Sequence, residues 1–308
     1  MPLAAETTLV LGADGFLGRN VCRYFAERGW PVVPVGRSAG DLDDWCTVER
    51  IFRTAPAVGR IFHLVTRQRT GQVQYGMQGT LLAVNARIHL NLLDAWCRFQ
   101  PQARFLSVGS SCAYPESEAP IPETAFQTGP LHPSVRGYGL AKQLLAVGSE
   151  AFAQEYGLTW LHCILATVYG PHDHMESDRS HFMTAMIDRA VAEKRAGKDE
   201  FTVWGAADTV RDLLYVDDQI DAVLAAERHF SNTMVNCTGN LPVTIGEAAG
   251  AIVAALDWPA RVTYPPASFR GTARKTLDST RFLEATGWRP AVDLDTGIRR
   301  VLASDYGI

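Results

Sequence analysis

One segment of the chain, 109–142, contains polar side chains whose types and spacing suit proton transfer. They are Ser110, Ser111, Cys112, Tyr138 and Lys142. Because four residues make about one helical turn, Tyr138 and Lys142 share one helix face and their side chains can meet. A lysine ammonium beside a phenol stabilises the phenolate and lowers the pKa of the tyrosine. We therefore expect an acid/base that protonates a carbonyl oxygen while another group delivers hydride.

The elements that would position these side chains alternate between strands and helices. Apolar runs predict strands at 7–11, 31–35, 60–65, 104–108 and 159–166. Helical periodicity is found at 15–28, 79–99 and 138–156. Repeated strand–helix units are typical of parallel sheets covered by helices. We predict an α/β fold, a Rossmann-type doubly wound parallel sheet with a smaller C-terminal substrate-binding lobe.

A glycine-rich turn follows the first predicted strand. Gly12, Gly15 and Gly18 are spaced G-x-x-G-x-x-G between that strand and a helix. Such glycines let the backbone approach a pyrophosphate, which then meets the helix N-terminus. We expect this turn to bind a dinucleotide through Gly12, Gly15, Phe16, Leu17 and Gly18.

The end of the second predicted strand selects the cofactor. NAD enzymes usually carry an acidic residue there, which holds the ribose 2′-hydroxyl. This chain has Arg37 instead, and a guanidinium suits a 2′-phosphate, which favours NADP(H). The alternative is a surface arginine without a ligand. Asp41 and Leu42 follow in a loop that is expected to touch the adenine ring.

The regular alternation ends near Val168, where polar loops, short strands and prolines begin. We predict an NADP-binding Rossmann domain over 1–168, with a returning segment near 210–240. Residues 169–308 are predicted to form mainly the substrate-binding lobe.

Composition excludes several classes of function. The net charge of −4 argues against nucleic acid or an anionic membrane surface as a partner. No apolar stretch is long enough to span a bilayer and the N-terminus lacks a signal peptide pattern, so we expect a cytoplasmic protein. The cysteines have no zinc-like spacing, and the H-x-H pair His172 and His174 lacks a clear third ligand. We therefore expect no metal site.

Taken together, the glycine turn and the Ser, Tyr-x-x-x-Lys arrangement resemble the extended short-chain dehydrogenase/reductase family. The resemblance implies that Ser110 hydrogen-bonds the substrate carbonyl and that Tyr138 donates the proton. It also implies that Lys142 tunes Tyr138 and holds the nicotinamide ribose.

Several longer motifs resemble the GDP-L-fucose synthases, a family of GDP-4-keto-6-deoxymannose 3,5-epimerase-reductases. They are GSSCAYP, PIPE, GPLHPS, GYGLAK, VYGPHD, the dipeptide Ser180–His181, WGAADTVRDLLYVDD and RGTARK. A 4-keto group acidifies the protons on C3 and C5, so epimerisation needs a base and an acid. The resemblance implies Cys112 as base and His181 as acid, and both side-chain types titrate near working pH. The alternatives are a small buried cysteine and a helix-capping or surface histidine.

The same resemblance implies substrate-binding residues that carry charge or an aromatic ring. Arg211 and Lys275 match basic positions that contact the nucleotide diphosphate, and Arg189 is a third candidate. Trp204 is either a platform for the nucleotide base or a core residue.

Departures from this family pattern concern the sugar more than the redox chemistry. Thr167 replaces an asparagine, Asp188 precedes Arg189 where a basic pair is common, and HLVTRQRTGQ replaces a run of small residues. We predict an NADPH-dependent epimerase-reductase of an NDP-4-keto-6-deoxy sugar, with GDP as nucleotide, that acts as a homodimer. The alternatives are a single-activity 4-ketosugar reductase or epimerase, or an NADP-sensing scaffold.

Overall fold

The computed structural model describes residues 6–69, 71–173, 181–265 and 272–308. The first half alternates between strands and helices, as the periodicity predicts. Its elements are β1 (Thr8–Leu11), α1 (Phe16–Ala26), β2 (Val32–Val35), α2 (Trp45–Thr54), β3 (Arg60–His63), α3 (Gly71–Gly76), α4 (Gln78–Phe99), β4 (Arg104–Ser110), α5 (Arg136–Tyr156) and β5 (Trp160–Leu165).

The second half has shorter strands and helices. Its elements are β6 (Thr167–Tyr169), α6 (Phe182–Arg195), β7 (Glu200–Thr202), β8 (Val210–Tyr215), α7 (Val216–His229), β9 (Thr233–Cys237), β10 (Pro242–Thr244), α8 (Ile245–Ala255), β11 (Arg261–Thr263), β12 (Arg274–Lys275), α9 (Thr280–Thr286) and α10 (Leu294–Val301).

Six strands of the described chain form one parallel sheet in the order β2-β1-β3-β4-β5-β9. The chain leaves β1 toward β2 on one side and returns to β3 on the other, so the strand order reverses between β1 and β3. Ligands of doubly wound sheets bind at the carboxyl ends of the strands beside such a reversal. The α/β Rossmann-type prediction is therefore confirmed.

A smaller sheet lies beyond β5. In the described residues its order is β10-β8-β12, and β6 also pairs with β8. The register places Lys275 of β12 beside Arg211 of β8. Two basic side chains from distant parts of the sequence thus become neighbours.

The two faces of the large sheet have separate cores. One face packs on α4 and α5, around Ile61, Phe105 and Trp96. The other face packs on α1 and α7, and its core continues from Leu106 and Val108 to Ile187 of α6 and Ile252 of α8. The apolar core on this face continues past Val168 into α6 and α8. The domain boundary predicted between residues 168 and 169 stays a prediction.

One helix, α2, lies where the sequence analysis predicts none. The Asp44 carboxylate accepts hydrogen bonds from the backbone N–H groups of Cys46 and Thr47 at 3.3 and 3.0 Å. An aspartate N-cap of this kind is a start signal that the sequence carries. None of the helices in the described part of the chain has both the length and the hydropathy of a membrane span.

Candidate active site

A cavity of about 390 Å³ lies at the carboxyl ends of β1, β3, β4 and β5. Most of the residues predicted to be functional line it. These are Gly12, Gly15, Phe16, Leu17, Gly18, Arg37, Ser110, Cys112, Tyr138, Lys142, His181, Arg211 and Lys275. Residues from seven separate stretches of sequence therefore face one space.

The glycine turn forms the floor of this cavity beside β1. Gly12 has a φ of +93°, which side chains other than hydrogen rarely tolerate. A β-carbon on Gly18 would collide with the Gly12 carbonyl oxygen, so α1 packs against the turn only because position 18 is glycine. The backbone of the turn is thereby exposed to the cavity, as pyrophosphate binding requires.

Arg37 lies at the end of β2, on the rim of the same cavity. Its backbone N–H donates to the Asp14 carboxylate at 2.6 Å, which ties the end of β2 to the glycine turn. Arg37 is an exposed residue of the lining, and a guanidinium offers several N–H donors to an anion.

Tyr138 and Lys142 are buried on the first turns of α5. The Lys142 ammonium donates to the Val108 carbonyl oxygen at 2.9 Å, and its Nζ lies 5.8 Å from the centroid of the Tyr138 ring. Burial lowers the pKa of Lys142 to about 8, although the nearby Cys112 raises it in part. The pair meets across one helical turn, as its spacing predicts.

The expected lowering of the Tyr138 pKa is wrong for this structure. Burial raises the pKa of the phenol, and Cys112 adds to the rise, while hydrogen bonds from Ser110 and Thr66 lower it in part. The Lys142 ammonium is held at a carbonyl oxygen and does not offset the loss of solvent. Tyr138 is therefore protonated at neutral pH, which is the state that a proton donor needs.

Cys112 lies in a short 3₁₀ turn directly after β4. The Ser110 hydroxyl oxygen accepts from the Cys112 backbone N–H at 3.2 Å, and the Lys275 ammonium lies 3.0 Å from the Cys112 sulfur. Burial raises the pKa of the thiol, but Lys275, Ser110 and Arg211 together lower it by more than burial raises it. The pKa of the Cys112 thiol therefore lies below its usual value. A partly buried thiol with this bias is unusual for a structural cysteine and suits a base.

His181 immediately precedes α6 and pairs with a residue that the sequence analysis missed. Its Nδ1 lies 2.9 and 3.0 Å from the two carboxylate oxygens of Asp173, whose side chain is fully buried. The Thr184 hydroxyl donates to the same carboxylate at 2.6 Å. Because a carboxylate only accepts, Nδ1 carries the proton, and Nε2 is the ring nitrogen left for a ligand in the cavity.

Two residues predicted to touch the adenine ring do not line the cavity. Leu42 is 9% exposed and packs in the core beside α4, where its carbonyl oxygen accepts from Asn91. Asp41 forms an ion pair with Arg67 at 2.6 Å. The buried Leu42 side chain has little surface to offer a ring, so the expected contact lacks support.

Arg189 and Trp204 also lie outside the lining of the cavity. They contact each other instead, since the Arg189 guanidinium carbon lies 3.3 Å from the centroid of the indole ring. Trp204 is 70% exposed, which excludes the core alternative for this residue. An exposed indole with a cation stacked on one face keeps its other face open to a flat ligand.

Several polar residues of the lining carry no predicted role. They are Thr66, Arg67, Gln68, Arg69, Ser111 and Thr167. Four of them belong to the run after β3 in which the chain departs from the family pattern. This departure was the feature of the sequence that could have marked them as residues of the cavity. Two other residues of the sequence analysis, His174 and Ser180, lie outside the described residues.

No group of three or more His, Cys, Asp or Glu side chains in the described ranges is arranged to hold a metal ion. His172 has a φ of +68° and its Nδ1 lies 3.8 Å from Asp305, at the surface.

Comparison with known proteins agrees with this geometry. Residues 8–238 match the model of the NAD dependent epimerase/dehydratase family. The probable GDP-L-fucose synthase 1 of Oryza sativa subsp. japonica is 30% identical over 293 residues, which cover 94% of this chain and 88% of that protein. The GDP-L-colitose synthase of Yersinia pseudotuberculosis is 29% identical over 305 residues and 95% of each chain.

Among solved structures, a GDP-L-fucose synthetase from Naegleria fowleri bound to NADP superposes with a TM-score of 0.86. The match covers 97% of this chain and 92% of that one at 21% identity. At this identity the likeness concerns the fold.

Proposed function

The chain belongs to the NAD dependent epimerase/dehydratase family, and we propose that it is an NADPH-dependent nucleotide-sugar epimerase-reductase. Its substrate is an NDP-4-keto-6-deoxy sugar, with GDP as the nucleotide. It epimerises C3, C5 or both and then reduces the C4 ketone. One observation carries the proposal, because a single cavity holds both the Tyr138–Lys142 pair and the Cys112–His181 pair. Curated relatives named as synthases of GDP-L-fucose and GDP-L-colitose support it.

The residues of the cavity fit NADP(H). The glycine turn leaves no room for a β-carbon at Gly18 and presents its backbone to the cavity, while Arg37 offers a guanidinium where NAD enzymes carry an acid. These residues would hold the pyrophosphate and the 2′-phosphate, and Lys142 the nicotinamide ribose. The bound cofactor supplies a hydride.

For reduction, the chain must hold the ketone and supply one proton. The side chains of Ser110 and Tyr138 lie within hydrogen-bonding distance of each other and both line the cavity at the end of β4. Both hydroxyls can therefore donate to the C4 oxygen. Tyr138 gives its phenolic proton to that oxygen as the carbon is reduced. The phenolate of Tyr138 then regains its proton from solvent.

For epimerisation, the Cys112 thiolate removes the proton on C3 or C5. The electron pair of the C–H bond moves into an enolate whose negative charge lies on the C4 oxygen, where Ser110 and Tyr138 donate hydrogen bonds. His181, as an imidazolium protonated on both ring nitrogens and paired with Asp173 through Nδ1, then delivers its Nε2 proton to the opposite face of the same carbon and becomes the neutral Nδ1–H imidazole. Sulfur and imidazole return to their starting states by exchange with solvent.

Residues outside the catalytic group bind the nucleotide of the substrate. Arg211 faces the cavity from β8, so its positive charge meets an incoming diphosphate. The open face of Trp204, with Arg189 stacked behind it, suits the nucleotide base.

Deuterium exchange tests the two activities separately. Incubation with GDP-4-keto-6-deoxymannose in deuterated water without NADPH is expected to place deuterium on C3, C5 or both. Later addition of NADPH should consume the ketone with oxidation of one NADPH per sugar. Absence of deuterium at both carbons would remove epimerisation of this substrate, and absence of NADPH oxidation would remove reduction.

Single-activity enzymes are the second candidate, because the run at 66–69 and Thr167 both face the cavity and depart from the family pattern. Cys112→Ser and His181→Asn separate the two cases. A pure reductase keeps its rate in both variants when it receives a correctly configured ketosugar.

We also propose a homodimer built on α4 and α5. Leu90, Leu140 and Val147 are 46%, 39% and 41% exposed on these two helices, which pack on each other. A second copy would cover these side chains. A monomeric mass by light scattering at micromolar concentration would contradict this assembly.

The proposed compartment is the cytoplasm. Cys112 must remain a free thiol to act as a base, and reducing compartments keep thiols free. All six cysteines are unpaired. Fractionation of the source cells would test the assignment.

A further inference from the structure

Lys275 lies where it can act on the chemistry of Cys112 as well as on a diphosphate. Its ammonium is 3.0 Å from the Cys112 sulfur. Pairing of β12 with β8 fixes the backbone of Lys275, and the hydrogen bond from Cys112 N–H to Ser110 fixes the turn that carries the sulfur. The contact therefore joins two anchored segments that are far apart in sequence.

The other charged groups near the sulfur are placed differently. Arg211 on β8 has its guanidinium bound to the carbonyl oxygens of Val210 and Thr272 at 2.8 and 3.0 Å. Lys142 on α5 donates to Val108. Of these three cations, Lys275 is the one hydrogen-bonded to the sulfur itself.

Further titratable groups face Cys112 from the remaining elements. Tyr138 on α5 and His181 before α6 share the main cavity with it. On the far side, Glu116, His132 and Arg274 line a small pocket that also includes Cys112 and Lys275. His132 lies 3.7 Å from Glu116, and the Arg274 guanidinium lies 3.5 Å from the Thr276 hydroxyl. These contacts are made to groups other than the Cys112 sulfur.

We propose that Lys275 holds Cys112 as the thiolate that removes the sugar proton, and that this is its role in catalysis in place of diphosphate binding. The inference deepens the proposed epimerase function and rests on it. The lowered pKa of the buried thiol supports the contact, because burial alone would raise it. During proton removal the sulfur becomes a thiol, and Lys275 stays an ammonium that favours return of the thiolate.

Alkylation of the free protein measures the thiolate directly and needs no sugar. Iodoacetamide reacts with the thiolate, and peptide mass spectrometry gives the rate at Cys112 as a function of pH. Lys275→Met should slow alkylation of Cys112 at pH 7 by about tenfold or more, since one pKa unit changes the thiolate fraction tenfold. Lys275→Arg should restore most of the rate.

Two controls are built into the chain. Arg274→Met removes a neighbouring cation of the same strand that does not contact the sulfur, and it should leave the rate at Cys112 within about twofold. Cys46 is exposed, so its alkylation is an internal standard that should not change. If Lys275→Met fails to fold, Lys275→Gln replaces it.

The two roles of Lys275 predict opposite results. If Lys275 serves the diphosphate, the Met variant binds GDP at least tenfold more weakly and the alkylation profile of Cys112 is unchanged, which overturns the proposal. If it serves the sulfur, the alkylation profile moves to higher pH and the Kd for GDP stays within about threefold. Normal alkylation results with no deuterium exchange on any 4-ketosugar would defeat the proposed function and leave the thiolate inference standing.

Discussion

The pairing of His181 with Asp173 leads to a prediction that can be worked out from the structure. The buried Asp173 carboxylate accepts from His181 Nδ1 at 2.9 Å and thereby keeps Nε2 toward the cavity. Asp173→Asn keeps the size of the side chain and removes its charge. The amide lacks the negative charge that pairs with the imidazolium from which His181 delivers its Nε2 proton.

The magnitude follows from the hydrogen bond that is lost. A hydrogen bond to a charged group contributes about 1.5–3 kcal/mol, which corresponds to a rate loss of about 10- to 150-fold. We expect this loss in the rate of deuterium exchange at C3 and C5, measured by NMR in deuterated water without NADPH. The reduction of an already epimerised ketosugar should change by less than about threefold, because Tyr138 and Lys142 are not in contact with Asp173.

Thr184→Val is the matched control for this variant. It removes another side chain that donates to Asp173, at 2.6 Å, and leaves the carboxylate on His181. Thermal unfolding of both variants shows whether the fold survives. The reasoning is refuted if Asp173→Asn exchanges deuterium at the wild-type rate, or if exchange and reduction fall by the same factor.

Three further predictions concern the cofactor side of the cavity. Tyr138→Phe should slow NADPH-dependent reduction by about 10²- to 10⁴-fold while deuterium exchange continues, and equal loss of both activities in paired assays would contradict the assigned role. Arg37→Ala should raise KM for NADPH by about 10- to 100-fold and leave KM for NADH nearly unchanged; parallel changes would argue against a 2′-phosphate contact. Burial lowers the pKa of Lys142 from 10.5 to about 8, so its charge costs the folded state stability below pH 8, and that cost disappears as pH rises from 8 to 10.5. The difference of about 2.5 units corresponds to ~3 kcal/mol, so Lys142→Met should unfold at higher urea concentration than wild type at pH 7 and lose this advantage by pH 10; a pH-independent difference would contradict the buried charge.

Local sequence patterns were sufficient to predict most of the fold. Apolar runs and helical periodicity depend on neighbouring residues, and so they predicted β1, β3, β4, β5, α4 and α5 closely. The short helix α2 was missed because its apolar stripe is brief, although Asp44 marks its start. Strand order and register are set by contacts across the sheet, and only the structure supplies them.

The same distinction applies to the candidate site. Tyr138 and Lys142 are one helical turn apart, so sequence alone predicted their meeting. The direction of the Tyr138 pKa was predicted wrongly, because burial depends on the packing of α5 against β4 and has no local signal. The partners Asp173 of His181 and Lys275 of Cys112 likewise come from other loops and strands.

By itself, then, the sequence determined the Rossmann-type fold, the glycine turn, the basic residue at the end of β2 and the identity of the candidate reactive side chains. These features reside in short stretches whose physics is local: hydrophobic period, glycine conformation and helical spacing. Only the tertiary structure decided which group is charged and which nitrogen faces the cavity. Protonation depends on solvent exclusion and on ions brought within about 3 Å by folding, and neither can be read from one segment.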